Sequence, residues 1–370
     1  MTKGRLVAIA AAILVIAIGG PLLAIVTNDA EPESPRPTLD EASNASERFL
    51  EDYLDPDGRV VRRDQGNDTV SEGQAYAMLI AVAIGARDDF DSAWNWSKDE
   101  LRQPSGMFAW RWADGEVQDT QPATDADLDM ARALYVAADR FDEPGYREEA
   151  DELAGAIVEE TFVEPGSGGP VVVAGPWASN EAPYFINPSY YAPRVFDDMV
   201  QLTGDDKWQG AIERQRAIVS DLIGTESDPM LPPDWATVSE DGSVQASESP
   251  GGDQPPRYSY DAVRTPIRLA ESCHPEDQEL AAQMWTILNE SRSSRGAVTM
   301  NLEGEIQDPT QGAVGFVASA AAAKAAGDTM QMESLLDLAD RTDTNQQTYY
   351  GSAWHALGRI KLTTDWLGAC

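Results

Sequence analysis

The sequence predicts an all-α fold in which paired helices close into a ring. Three observations carry this. Helical periodicity dominates from Leu39 onward, long β-branched alternation is scarce, and long connections alternate with short ones. About twelve helices are expected, near 40–54, 71–86, 89–102, 125–141, 145–162, 188–203, 205–223, 259–272, 275–292, 311–326, 330–340 and 346–361. Each repeats apolar residues at three- and four-residue spacing, as Leu128, Ala131, Leu134 and Tyr135 do. Val171–Val173 is the best short strand. The connections before helices 2, 4, 6, 8 and 10 are long and rich in Trp, Pro, Gly and Asp, whereas those before 3, 5, 7, 9 and 11 are short. If alternate helices form an inner ring, their N-termini share one end. The long loops then build one decorated face, where a cleft belongs.

Ahead of this domain, Lys3 and Arg5 precede an apolar run from Leu6 to Val26. That run is long enough to span a bilayer, and its positive flank places the N-terminus inside and the rest outside. Val26–Ala30 offers no small-x-small cleavage site, which favours an uncleaved signal-anchor over 1–27. Gly19, Gly20 and Pro21 keep a cleaved signal, and hence secretion, as the alternative. Residues 28–38 are Pro- and Glu-rich and read as a linker. Residues 39–370 remain as one helical domain, expected as a monomer.

Composition narrows the chemistry. The chain has 370 residues, 42% of them apolar, which suits a globular core. With 63 acidic and 27 basic residues its formal charge is -36. Such a surface repels phosphate backbones, so nucleic acid is excluded as a partner, and docking on anionic lipid is disfavoured. The two histidines, His274 and His355, are too few for a His-rich metal site and argue against a Ser-His-Asp triad. Cys273 and Cys370 allow one bridge at most, and whether they pair is open. Asp125, Asp127 and Asp129 start like a calcium loop, but Met130 stands where Gly is required and Val136 where Glu is. There is no phosphate-cradling glycine loop. Carboxylates are left as the working groups, with no metal or cofactor called for.

Four polar stretches open even-numbered helices: Ser71–Tyr76, Ala123–Asp127, Asn187–Tyr190 and Ser259–Arg264. Each sets a carboxylate or amide beside aromatic or glycine neighbours. Glycoside cleavage needs one carboxyl group to protonate the leaving oxygen and another to activate water or attack the sugar. It also needs flat aromatic faces, for which Trp110, Trp112, Trp177 and Trp235 are candidates. Taken singly, these features have plainer readings. Thr69-x-x-Glu72 and Thr124-x-x-Asp127 look like helix capping boxes, and tryptophan is more often core than sugar platform.

Taken together, the blocks resemble glycoside hydrolase family 8, and within it the compact bacterial cellulases. Ser-Glu-Gly-Gln-Ala-Tyr-Ala-Met at 71–78 and Ala-Thr-Asp-Ala-Asp-Leu-Asp-Met-Ala at 123–131 are similar to two family blocks. Phe108–Trp112, Asn187–Tyr190, Pro233–Trp235 and Tyr260–Arg264 are similar to others, over roughly Arg62 to Gly351. The resemblance implies an (α/α)6 barrel of six inner and six outer helices. It implies that Glu72 is the general acid, Asp261 the general base, and that Asp125 holds a distorted sugar at the cleavage point. Tyr190 and Arg264 would support water and base; Tyr76, Trp110, Trp112, Asp127 and Trp177 complete the expected substrate-binding set. The implied reaction is inverting endo-cleavage of a β-1,4-glucan, with the carboxyls about 6.5–9.5 Å apart. Chitosan, xylan and mixed-linkage glucan are alternatives on the same scaffold; a non-catalytic glucan-binding accessory of polymer synthesis or export is another. Ala75 and Ala77 depart from two glycines usual in the first block, and Phe141 from a Trp. One tension is physical. A helix N-terminus lowers a carboxyl pKa, yet an acid catalyst must keep its proton. Burial and a neighbouring carboxylate, Asp125 or Asp127, are expected to outweigh the dipole.

Overall fold

The computed structural model describes residues 39–166 and 168–370. The expected membrane segment and linker therefore lie outside the described residues. Among the described residues, no helix is long and apolar enough to cross a membrane.

Twelve α-helices are found among the described residues: α1 (Leu39–Tyr53), α2 (Ser71–Ile84), α3 (Arg87–Glu100), α4 (Thr124–Arg140), α5 (Pro144–Thr161), α6 (Pro193–Thr203), α7 (Asp206–Leu222), α8 (Thr265–Ala270), α9 (Pro275–Leu288), α10 (Ala313–Ala325), α11 (Thr329–Asn345) and α12 (Tyr349–Thr363). The even-numbered ones form the inner ring. α2 packs on α4, α4 on α6, α6 on α8, α8 on α10, α10 on α12, and α12 back on α2. Each odd helix packs outside an even one, as α3 does on α2 and α11 on α10. Sequence explains the division. α2 and α10 are apolar all round and buried at almost every position, as an enclosed helix must be. α1 buries only one stripe, Ala42, Ala45, Phe49, Leu50 and Tyr53.

Two of the expected helices differ most from the structure, the others shifting by up to five residues at their ends. The expected helix over 188–203 is split, because Pro193 disfavours helical backbone at the residue before it. Ala192 sits at φ -117, ψ 84, leaving Pro188–Tyr190 as a separate 3-10 turn. The expected helix over 259–272 shrinks to a 3-10 turn, Ala262–Arg264, running into the six residues of α8.

The extended structure exceeds the single strand expected. β1 (Thr69–Val70), β2 (Arg111–Ala113) and β3 (Glu116–Asp119) form one antiparallel sheet. β4 (Phe162–Val163) pairs with β5 (Val171–Val172), and β7 (Gly224–Thr225) with β8 (Asp228–Pro229). β6 (Tyr184–Ile186), β9 (Trp235–Val238) and β10 (Val244–Ser247) form a second sheet in the order β10-β9-β6. β11 (Ala297–Met300) pairs with β12 (Ile306–Gln311). All of these lie in the long connections before α2, α4, α6, α8 and α10. They are too short and too polar to show an alternation in sequence, β12 being almost wholly exposed.

The centre of the ring is not purely apolar. α4 and α8 are linked by three buried ion pairs: Asp125 with Arg264 (2.5 Å), Asp129 with Arg268 (2.7 and 2.5 Å), and Arg132 with Glu271 (2.6 Å). Partners are 139 residues apart in every rung, so the helices run parallel and in register. The last rung also holds Asp198, which accepts from Arg132 Nε (3.1 Å), and Lys361, which donates to Glu271 (2.5 Å). The C-terminal residues close this end. Leu367 O accepts from Arg132 Nη2 (3.3 Å), and Cys370 is disulfide-bonded to Cys273, just beyond α8. The bridge spans 97 residues of sequence, and closing a loop of that size stabilises the fold by about 4.7 kcal/mol through restriction of the unfolded chain.

Candidate active site

The other end of the ring carries the expected site residues. β1 runs straight into α2, and Ser71 N donates to Trp110 O (2.9 Å), which sets Trp110 beside Glu72. Gln74 anchors the turn. Its Oε1 accepts from Val60 N (2.6 Å), and its Nε2 donates to Gly58 O, Ala93 O and Ser97 Oγ at 3.0–3.1 Å. A Cβ at Gly73 would lie 2.6 Å from Tyr349 Oη, so glycine permits the close approach of α12. Ala75 and Ala77, which replace two glycines, are buried within regular helix and fill core.

Neither expected capping box forms. Thr69 Oγ1 donates to Val60 O (2.7 Å) and Thr124 Oγ1 to Val173 O (2.9 Å), tying the loops together instead. Helices α2 and α4 begin without a side-chain cap, with Glu72 in the first turn of one and Asp125 and Asp127 in the first turn of the other. Asp261 precedes the 3-10 turn before α8. Asp234 Oδ1 holds that loop by accepting from Ser259 N and Ala262 N, both at 2.9 Å.

Arg264 organises the carboxylates. Its Nη1 donates to Asp125 Oδ2 (2.5 Å), its Nη2 to Asp261 Oδ1 (2.8 Å), and its guanidinium lies 5.4 Å from the centre of the Tyr190 ring. Tyr76 Oη accepts from Arg264 Nη1 at 3.4 Å. Two cavities adjoin here, of about 290 and 510 Å³, and Glu72 and Asp261 line both. Trp110, Trp177, Trp235 and Tyr190 line the smaller. Arg62, Tyr76, Tyr260, Tyr349, Tyr350 and Arg264 line part of the larger. Trp177 and Trp235 lie with ring centres 6.4 Å apart.

Three expected residues sit elsewhere. Trp112 packs edge-on against Trp96 at 5.5 Å, donates to Glu100 Oε2 (3.2 Å) and lies under Arg59, so it supports β2 and lines neither cavity. Asp127 is fully buried, accepts from Phe108 N (3.0 Å) and lines neither cavity. Asp125 is 3% exposed and reaches the cavities through Arg264. Asp234 was not among the expected site residues, although it sits in the Pro-Asp-Trp block beside Trp235.

The proton balance follows from this crowding. Burial and then the Asp125 charge push the Glu72 carboxyl up to about 8, against the first-turn amide, Arg264 and Arg62. The helix dipole is therefore outweighed, and Glu72 keeps its proton near neutrality. Burial pushes Asp261 up to about 6; Arg264 holds it down, while Asp234 and Asp125 push it further up. Burial also raises Asp127 well above the usual carboxylate range. Glu72 Oε2 and Asp127 Oδ2 are buried with no hydrogen-bond partner among the described residues. One protonated acid and one more acidic carboxylate thus flank a common space, the arrangement that acid–base cleavage requires.

Known proteins share this architecture. An endoglucanase of Cellulomonas uda is 31% identical over 67% of this chain and 68% of its own length. A protein described as a probable endoglucanase of Novacetimonas hansenii is 34% identical over 59% of this chain; the match spans 64% of that protein's length. The solved structure of an endo-beta-1,4-glucanase from Acetobacter xylinum superposes with a TM-score of 0.73 at 26% identity, covering 88% of this chain and 99% of that one. The family described as glycosyl hydrolases family 8 matches residues 38–363, a span that holds all twelve helices and both carboxylate-bearing blocks. The chain belongs to that family.

Proposed function

We propose that the protein is an endo-acting, inverting hydrolase of β-1,4-glucan. One observation carries the reading: Glu72 and Asp261 are shared by two adjoining cavities, one of them walled by Trp110, Trp177 and Trp235. A polymer threaded along both cavities presents an internal bond to both carboxyls. Protonated Glu72 gives its proton to the glycosidic oxygen as the C1–O bond breaks. Ionised Asp261 takes a proton from the water whose oxygen bonds to C1. Arg264 fixes Asp261 and Asp125 and steadies Tyr190 by lying over its ring.

The anomeric form of the first product, followed by NMR on a defined cello-oligosaccharide, tests this. The α-anomer must appear first; a β-anomer first product would overturn the mechanism. Near-wild-type rates in Glu72→Gln or Asp261→Asn would remove that residue from its role. The smaller cavity is lined by three carboxyls, Glu72, Asp119 and Asp261, and by no lysine or arginine, which also suits a cationic chain. Rates on soluble cellulose, chitosan, xylan and lichenan decide between neutral glucan and these alternatives.

The same proposal includes place. The Cys273–Cys370 disulfide fits an oxidising compartment, and the apolar run Leu6–Val26 fits an uncleaved anchor that leaves the hydrolase outside the cytoplasm. Fractionation of cells expressing the full chain tests it: activity must sediment with membranes. Activity found only in the medium would replace the anchor with a cleaved signal. Sedimentation of the detergent-extracted protein as one chain tests the expected monomer.

A further inference from the structure

We infer that Asp129 and Arg268 are positioning residues for the reaction: their buried pair sets the rotation of α8 and thereby holds Arg264 between Asp125 and Asp261. The inference rests on the reading of Asp261 as the base. α8 has only six residues, too few for a helix to be stable by itself, so its orientation must come from side-chain contacts. Arg264 and Arg268 project one turn apart from the same short segment. Arg268 meets both carboxylate oxygens of Asp129, at 2.7 and 2.5 Å, and both side chains are about 1–2% exposed. A two-pronged contact fixes an angle as well as a distance, which a single contact does not.

The surroundings lock the same rung. The Arg268 guanidinium lies 5.2 Å from the centre of the Trp354 ring, and Trp354 meets Tyr76 edge-on at 5.4 Å. Tyr76 Oη in turn accepts from Arg264. The second rung is thus joined to the first both along α8 and through α12 and α2. Rotation of α8 by a few tens of degrees would carry Arg264 away from Asp125 and, with it, the turn bearing Asp261.

The third rung is a built-in control. Arg132–Glu271 is also a buried arginine–carboxylate pair between α4 and the end of α8, but it is single-pronged, lies at the closed end and lines neither cavity. Lysine at 268 keeps the charge and loses the planar fork. Arg268→Lys is expected to lower kcat at least tenfold, to leave KM within twofold, and to move the acidic limb of the rate profile by half a pH unit or more. Arg132→Lys is expected to lower Tm comparably while kcat and that limb stay put. Folded Arg268→Lys with wild-type kcat and an unmoved limb would overturn the inference, as would the same kinetic change in Arg132→Lys. Should Arg268→Lys not fold, the volume-matched double replacement Asp129→Leu with Arg268→Met keeps the core filled. Its folded form must show the same loss of kcat, and wild-type kinetics there overturn the inference too. Asp261→Asn separates the two readings: if it retains activity the base assignment fails, whereas if it is inactive and Arg268→Lys is normal only the positioning role fails.

Discussion

The two ends of the inner ring use the same groups to opposite ends. At the open end Glu72, Asp125 and Asp261 gather round Arg264, Arg62 lies near Glu72 as well, and Asp127 is buried beside Glu72 and Asp125. They cannot all ionise, so burial leaves protons on some of them. At the closed end Asp198 and Glu271 meet Arg132 and Lys361, and Arg194 lies 3.8 Å from Asp198. There burial would raise Glu271, but Arg132 and Lys361 prevail and hold it down to about 2. Burial does not by itself set protonation. At Glu271 the two cations outweigh burial, whereas at Asp198 burial still raises the carboxyl against Arg132 and Arg194, so the balance is set carboxyl by carboxyl.

The largest expected effect breaks the open end alone. Glu72→Gln and Asp261→Asn each lower kcat about a thousandfold without lowering Tm at neutral pH, measured by reducing-end release and calorimetry. A matching cut at the closed end, Lys361→Met, leaves Glu271 buried beside one cation fewer. It is expected to lose about 3 kcal/mol in urea unfolding while the folded fraction keeps wild-type kcat.

The comparison sharpens with pH. Activity should follow a bell with limbs near 6, from Asp261, and near 8, from Glu72. Glu271 has its folded value below its unfolded one, so its stabilisation is full above the ordinary glutamate range and is lost as pH falls through about 2. Turnover is therefore lost at pH 4 while calorimetry still shows a folded protein. Glu72 has the opposite sign. Its raised value favours the fold below the ordinary range, and that benefit is lost as pH rises through about 8. Glu72→Gln should accordingly raise Tm at pH 9 by about 2 °C. The smallest effect separates two neighbours on one ribbon: Trp110→Ala should raise KM about tenfold, and Trp112→Ala should lower Tm with KM unchanged.

Much of this was legible in sequence, and for identifiable reasons. The helices showed because amphipathic or apolar segments of fourteen or fifteen residues, such as 39–53 and 71–84, repeat one period many times. The alternation of loop lengths placed the cleft. Apart from Val171–Val173 the strands did not show, since pairs such as Gly224–Thr225 with Asp228–Pro229 are fixed by turns and partners rather than by pattern. Glu72 and Asp261 were singled out through whole blocks; Thr69 and Thr124 suggested caps with Glu72 and Asp127, but their hydroxyls bond to the carbonyls of Val60 and Val173 instead. Asp234 was missed because its work is done on backbone amides 25 and 28 residues away. The ladder did leave a signal. Asp125, Asp129 and Arg132 recur at four and three residues along α4, and Arg264, Arg268 and Glu271 repeat that spacing. Only the fold shows that the two triplets face each other.

Because α12 packs on both α1 and α2, the ring joins residues 39–84 to residues 349–363. Contacts so far apart raise the contact order and slow folding. A chain emerging from its N-terminus holds α2 without its last neighbour until nearly the whole domain has been made. During that interval an apolar helix waits with one flank unburied, and the nascent chain is open to aggregation. A truncation that removes α12 should therefore precipitate rather than yield a smaller hydrolase.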